Sequence, residues 1–420
     1  MNHLSAALTD VPGPSDRNMA IRVTAAAERA LRERHPWLYA NSIREQSHEG
    51  APGDLAVVFD RKGRFLAVGL YDPDSTIRVR VLQHGEPARI GQAWFSTHLS
   101  EAAARRAPLQ DRPRAALTTG YRLVHGENDG FPGLVADRYE QTLVVKLYTA
   151  AWIPHIQDVL AALIDTVEAE RLVLRLGRVV QDRPQVLHGL KDGVVLSGQP
   201  LDGPVLFWEN GLRFEADPMR GQKTGFFLDQ RENRARVEPL TAGKDVLNVF
   251  AYTGAFSFYA ARGGARRVVD VDMSAPALAV AARNLAHNRH LPAVATTRHE
   301  TVVGDAFDTL AHMGEAGRRF DVVIIDPPAF ARRRAQVDGA LSAYGRLTEL
   351  GLEVLSPDGV LVQASCSSPV DAEAFFETVH GAARRAGRPL RELERTGHPL
   401  DHPVSFEQGA YLKCLFARAA

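Results

Sequence analysis

The sequence predicts an open, doubly wound α/β domain of the Rossmann-like kind over its C-terminal half, preceded by a small β-rich unit and a small α+β middle unit. Three observations carry this. Residues 246–250 form an apolar run that passes through Ala251, Tyr252 and Thr253 into Gly254, then into the helix-compatible stretch 255–261: a strand, a tight turn and a helix start. The next run, 267–272, ends in an acid about twenty residues beyond that turn. Three further runs, 300–303, 320–325 and 359–364, also end in polar residues. Parallel strands bring their carboxyl ends to one edge of such a sheet, and ligands bind at that edge.

In chain order, Gly254 lets backbone approach a ligand closely, the alternative being an ordinary strand-to-helix turn. Asp272, with Asp270 as second choice, stands where a carboxylate holds both hydroxyls of an adenosine ribose. Asp305, after the run 300–303, is placed to meet an adenine amino group. The run 320–325 leads into Asp326-Pro327-Pro328-Ala329-Phe330, and 359–364 into Ser365-Cys366-Ser367.

These endings resemble the motifs of the class I S-adenosylmethionine-dependent methyltransferases, DPPAF matching the substrate-facing turn of those that act on nucleobases. The finer resemblance is to the large-subunit (23S) ribosomal RNA cytosine-C5 methyltransferases that carry an N-terminal PUA domain. It rests on 222–231 (QKTGFFLDQR), 247–254 (LNVFAYTG), DPPAF, SCS, His402-Pro403, Tyr411-Leu412-Lys413 and, near the start, His35-Pro36-Trp37, so it spans the chain from about residue 20 onward.

The resemblance implies S-adenosyl-L-methionine as cofactor, held by Phe250, Tyr252, Thr253, Gly254, Asp272 and Asp305. It further implies that 222–231 closes over the methionine end, with Lys223 and Thr224 at the cofactor and Arg231 near a carboxylate or RNA phosphate. Read structurally, Asp229 caps a helix over 232–239 and Thr224-Gly225 form a bend. Pro327, Pro328 and Phe330 would face the substrate base, Phe330 stacking on a base extruded from its helix.

The chemistry then divides. Methylating an exocyclic nitrogen of guanine or adenine needs mainly positioning, for which a DPP turn and an aromatic suffice. Carbon 5 of cytosine needs a thiolate added at carbon 6 before it can take a methyl group. Cys366, just past a strand and at the same sheet edge as Asp326, is the candidate nucleophile, with Asp326 binding or protonating N3. Taken alone, such a cysteine is more often a buried small hydrophobe, and Cys414 in the terminal run 411–417 keeps that reading. His402 is a candidate base for the C5 proton, the alternative being a rigid turn.

Two departures from the family pattern stand out. The fourth motif has no second cysteine, so product release would proceed without it, and Ala329 stands where lysine is common, with Arg332-Arg333-Arg334 nearby as a phosphate-binding or merely solvated loop.

The first half of the chain is less specific. Residues 1–18 read as a flexible tail without a signal-peptide core. Residues 19–95 carry runs at 21–24, 54–59, 65–71 and 77–82, with a helix at 25–34, and form a β-barrel-like module that the resemblance makes an RNA-holding PUA domain. Trp37, Arg29, Arg32, Arg34 and Lys62 either touch RNA or serve as core and solvated face.

Residues 96–203 form the middle domain: a helix over 95–107 broken at Pro108, strands at 121–125, 134–138, 143–148, 171–176 and 194–197, and a helix over 153–167. Its 126–133 segment reads as a glycine-rich hairpin, since the spacing does not fit a calcium loop. The third domain is 204–420.

Length supports two or three domains and a substantial core. Equal counts of 50 basic and 50 acidic residues leave any RNA surface to local patches. With two cysteines there is no disulfide framework, and with no long apolar run there is no membrane span, which fits the cytoplasm. A homodimer through the N-terminal modules is left open, as is an RNA-binding assembly factor with a vestigial cofactor pocket.

Overall fold

The computed structural model describes residues 6–420, and contacts divide them into two compact units. The first comprises the chain up to residue 207 together with 216–228 and 400–406; the second comprises 208–215, 229–399 and 407–420.

The first unit contains two sheets. One has six strands in the order Trp37–Tyr39, Ile77–His84, Phe65–Tyr71, Leu55–Phe59, Met19–Val23, Ile43–Gln46. Alternation buries Met19, Ile21 and Val23 on one face, against Leu31 and Leu38. Helix Ala25–Arg32 starts where the Thr24 hydroxyl accepts the Ala27 N–H. The two short strands Trp37–Tyr39 and Ile43–Gln46 escape a periodicity reading because three or four residues cannot display a period.

The other sheet has five strands, Val194–Ser197, Arg171–Leu176, Thr142–Leu147, Leu134–Tyr139 and Gly120–His125, with helices Gln92–Gln110 and Ile156–Thr166. The first of these helices continues two residues past Pro108, where a break was expected. In the last turn, a proline removes one hydrogen bond without ending the helix. The 126–133 segment is a turn with Gly130 and Gly133 at φ 82° and 76°, and its Asp129 is buried on Arg106.

The expected tail needs correction. Residues 1–5 lie outside the described residues, but Leu8 and Val11 are buried in the first unit's core, and Gln157 donates to both their carbonyls. Each such burial contributes about 1.5–3 kcal/mol, enough to dock a short segment.

The second unit is the α/β domain. Its strands are β1 (Asp245–Val249), β2 (Arg267–Asp272), β3 (Arg298–Val303), β4 (Phe320–Ile325), β5 (Leu355–Ser365), β6 (Leu390–Thr396) and β7 (Lys413–Ala419), in the order β3-β2-β1-β4-β5-β7-β6. The pairs from β3 to β5 are parallel, and β7 runs antiparallel to β5 and β6. Helices α1 (Ala255–Arg262), α2 (Ala275–Asn288), α3 (Ala306–Glu315), α4 (Val337–Glu353) and α5 (Ala372–Arg385) connect them. The order reverses between β1 and β4, which opens the ligand crevice at their carboxyl ends. Central strands are apolar on both faces, as in Val322, Val323, Ile324 and Ile325, all within 1% exposure.

Candidate active site

The loop after β1 is bent by its own backbone. Phe250, Tyr252 and Gly254 take φ of 61°, 49° and 76°, a conformation that side chains other than glycine's disfavour. Glycine is required at 254, because a Cβ there would lie 2.8 Å from Phe258 Cζ and 2.9 Å from Ala281 Cβ. The Ala251 N–H donates to the Val271 carbonyl, and the Asn284 amide of α2 donates to the Thr253 carbonyl at 3.1 Å. Within this held loop the Thr253 hydroxyl is buried without a hydrogen-bond partner, an unsatisfied polar atom in the turn that follows β1.

Of the two acids on β2, Asp270 is fully buried and accepts from Asn248, Ser257 and the His299 ring at 2.7 Å. Asp272 is half-buried at the strand end, where its two oxygens accept the Tyr252 and Ser274 N–H groups at 2.8 Å each. These bonds fix the carboxylate and leave acceptor capacity on both oxygens, since a carboxylate offers about four acceptor sites. Asp305 begins α3, one oxygen accepting the Phe307 and Asp308 N–H groups. The loop, the orphan Thr253 hydroxyl and Asp272 together fit an adenosyl cofactor with an amino-acid tail.

The second half of the site lies beyond β4 and β5. Asp326, half-buried, accepts from Gln230 Nε2 at 2.7 Å. Gln230 is held in turn by Asn233, and Asn233 by Thr396, each at 2.6 Å. Pro327 is buried and Pro328 exposed, while Phe330 packs on Tyr344 with ring centres 5.1 Å apart. Cys366, half-buried, places its sulfur 3.8 Å from the Pro327 carbonyl. The DPP turn and the cysteine are thus neighbours.

The cysteine loop is clamped from below. Tyr344, buried on α4, hydrogen-bonds through its hydroxyl to Ser365 Oγ at 2.9 Å and Ser367 Oγ at 2.8 Å. Ser367 Oγ also accepts the Ala331 N–H at 3.1 Å, which joins this loop to the DPPAF turn. Burial raises the Tyr344 phenol above its ordinary value, so it stays neutral and can donate.

Sequence reasoning missed Gln230, Tyr344 and Lys413. Gln230 and Lys413 both lie inside motifs already singled out, without a role of their own, and Lys413 is a cation at the head of the apolar run 414–417, a signal that was available. Tyr344 carries no local signal.

Four expected residues are buried or engaged by partners within their own unit. Arg231 is fully buried, which removes the expected contact to RNA phosphate; its Nε lies 3.4 Å from Glu232. Thr224 belongs to the first unit, where its buried hydroxyl is taken by Asp137 and Tyr139. Lys223, also of the first unit, covers the Phe227 ring at 4.4 Å and accepts Lys146 Nζ on its carbonyl. His402 is 1% exposed in the first unit, against His125 and Asp401, so it has no access to a substrate proton.

Cys414 is sealed within β7, and burial pushes its thiol well up. Among the described residues no helix is long and apolar enough to cross a membrane.

Comparison with known proteins identifies the family. Residues 121–418 fit the S-adenosylmethionine-dependent methyltransferase family model, and 21–84 fit the PUA-like domain. A ribosomal RNA large subunit methyltransferase of Deinococcus radiodurans is 51% identical over 407 residues, covering 96% of this chain and 98% of its own. A ribosomal RNA large subunit methyltransferase I of Photobacterium profundum is 38% identical, covering 94% and 98%. A Streptococcus mutans structure described as an S-adenosylmethionine-dependent methyltransferase shares the fold, with TM-score 0.79 at 23% identity over 95% of this chain and 99% of that one. A further solved methyltransferase chain, with TM-score 0.79 at 24% identity over the same shares of the two chains, holds S-adenosylhomocysteine. The chain is therefore an S-adenosylmethionine-dependent methyltransferase with a PUA-like domain, and it belongs to the family of the ribosomal RNA large subunit methyltransferases.

Proposed function

We propose that this enzyme methylates carbon 5 of a cytosine in large-subunit ribosomal RNA through a covalent adduct with Cys366. The observation that supports this most is the 3.8 Å approach of the Cys366 sulfur to the Pro327 carbonyl, beside Asp326. An enzyme that methylates a ring nitrogen or exocyclic amine needs no thiol at this turn.

S-adenosylmethionine supplies an electrophilic methyl group when bound. The loop 250–254 would line its pocket, Asp272 would accept from both ribose hydroxyls, and the second oxygen of Asp305 would face the adenine amino group. The Cys366 thiolate adds to carbon 6, forming the S–C6 bond and placing the electron pair on carbon 5. Asp326, oriented by Gln230, binds N3 as charge develops there. Carbon 5 takes the methyl group, a base removes the C5 proton, and the S–C6 bond breaks to return the thiolate. Pro328, exposed on the turn, and Phe330 shape the base pocket, and the PUA-like module with residues 19–95 holds RNA.

Nucleoside mass spectrometry of unmodified large-subunit RNA, incubated with S-adenosylmethionine and enzyme, tests this. New 5-methylcytosine with the wild type and none with Cys366→Ala is expected. A methylated guanine or adenine, or activity that survives the substitution, would replace the reading with nitrogen methylation.

A further inference from the structure

We propose that Lys413 is a positioning residue for Cys366, holding the loop that carries the thiol and presenting a buried ammonium that favours its thiolate. The inference rests on the reading of Cys366 as nucleophile and names the group that prepares it.

Lys413 opens β7 directly across from Ser365, the last residue of β5. It is 3% exposed, and the next four residues of the strand, Cys414 to Ala417, are buried and carry no charge; the other cation, Arg418, is half-exposed near the far end. Its Nζ donates to the Ser367 carbonyl at 2.7 Å and to the Val370 carbonyl at 2.8 Å. Those carbonyls follow Cys366 in the chain, so one ammonium gathers the loop around the thiol.

An ammonium in this position is expensive. Desolvation is severe, and among the described residues no carboxylate forms an ion pair with Lys413, where an apolar side chain would fill the strand without penalty. Two carbonyl dipoles orient the charge but do not neutralise it. The groups that face it with a negative form are the Cys366 sulfur and the Asp371 carboxylate. Asp371 is committed to capping α5 through the Glu373 and Ala374 N–H groups. Asp371 keeps its charge in that role, and Cys366 is the partner that lies beside the DPP turn.

Burial pushes the Lys413 ammonium down to about 8, with Cys366 and Asp371 acting in the opposite direction. The attraction is reciprocal: a cation that is stabilised by a thiolate stabilises that thiolate. The other groups around the thiol are the neutral Tyr344 hydroxyl behind the loop and the Asp326 carboxylate on the adjoining turn. Neither can supply positive charge.

The test is alkylation of Cys366 by iodoacetamide as a function of pH, read by peptide mass mapping on the full chain without RNA or cofactor. It is therefore independent of the product assay, whose failure would instead sink the reading of Cys366 as nucleophile. Cys414, buried, serves as an internal reporter of unfolding. Lys413→Gln keeps donors for the two carbonyls and removes the charge, whereas Lys413→Arg keeps the charge.

The Gln variant is expected to move the alkylation midpoint up by about one pH unit, or about ten-fold slower reaction at pH 7, with Arg staying near wild type. A midpoint unchanged in Lys413→Gln while Cys414 stays protected would overturn the proposal, as would equal shifts in both variants. Should a variant expose Cys414, the wild type alone decides. Cys366 alkylated about ten-fold faster than free cysteine at pH 7 supports the proposal, and a rate at or below that of free cysteine contradicts it.

Discussion

The two cysteines of this chain belong to neighbouring strands of one sheet, one inside its strand and one just past the end of the other, and have opposite fates. Cys414 is paired in register with Ala364, two residues before Cys366. It faces the core with Val246, Val322 and Phe416, and its thiol is held neutral by burial. Cys366 stands just beyond the carboxyl end of β5, half-open, next to the DPP turn and above a tyrosine and a lysine. Chemistry here is set by position relative to the strand end, not by residue type. A thiol inside the ladder is a small hydrophobe, and the same thiol past the last rung becomes a candidate nucleophile.

The largest expected effect is the contrast in rate between two alanine substitutions. Cys366→Ala should lower methyl transfer by on the order of 10³-fold or more, as for loss of a covalent nucleophile, whereas Cys414→Ala should leave the rate within about two-fold and cost roughly 1–2 kcal/mol of stability. Single-turnover methyl transfer and thermal unfolding read the two effects; equal loss of activity in both would break the comparison.

Gly254→Ala sharpens it by perturbing the cofactor edge while leaving both thiols alone. With φ at 76° and a Cβ that would collide with Phe258, the substitution should cost at least ~1 kcal/mol. It should also weaken S-adenosylmethionine binding measured by calorimetry, while iodoacetamide labelling of Cys366 stays unchanged. Altered Cys366 labelling would mean that the two halves of the site are one unit.

Much of this edge was legible in the sequence because strand ends are local. The chain from β1 to β5 announces itself by apolar runs, and Gly254, Asp272, Asp326 and Cys366 each follow such a run. What was not legible depends on packing between distant elements. Tyr344 is one of nine tyrosines and sits in the middle of an amphipathic helix, where nothing nearby says that its hydroxyl reaches two serines. The burial of Arg231 and Thr224 was hidden for the same reason: a basic or hydroxyl residue in a glycine-containing motif looks available until its neighbours arrive. Leu8 and Val11 were hidden by the prolines and polar residues around them.

Tyr344→Phe probes the clamp on one cysteine only. Losing the bonds to Ser365 and Ser367 should cost roughly 1–3 kcal/mol, because two buried hydroxyls lose a partner. The rate should fall by about ten-fold, the equivalent of some 1.4 kcal/mol in the barrier, with S-adenosylmethionine affinity unchanged. A rate loss confined to affinity would place Tyr344 in the cofactor pocket instead.

The smallest effect is in pH. Cys414 has its thiol raised above the ordinary value of 9.0 in the fold, so the unfolded chain releases that proton first as pH rises. Stability should therefore be undiminished by this group below about pH 8.5 and decline above it. Cys414→Ala should flatten that decline in denaturant melts.

The central claim is that Cys366 bonds to the cytosine ring, and a trapped adduct tests it most directly. A large-subunit RNA transcript carrying 5-fluorocytosine keeps a fluorine where the C5 proton must leave, so after methyl transfer the S–C6 bond cannot break. Incubated with enzyme and S-adenosylmethionine, it should give an RNA–protein species that survives denaturation and maps to the peptide containing Cys366, absent from Cys366→Ala. Methylation of the natural RNA with no such species, or a species that persists in Cys366→Ala, would contradict the account.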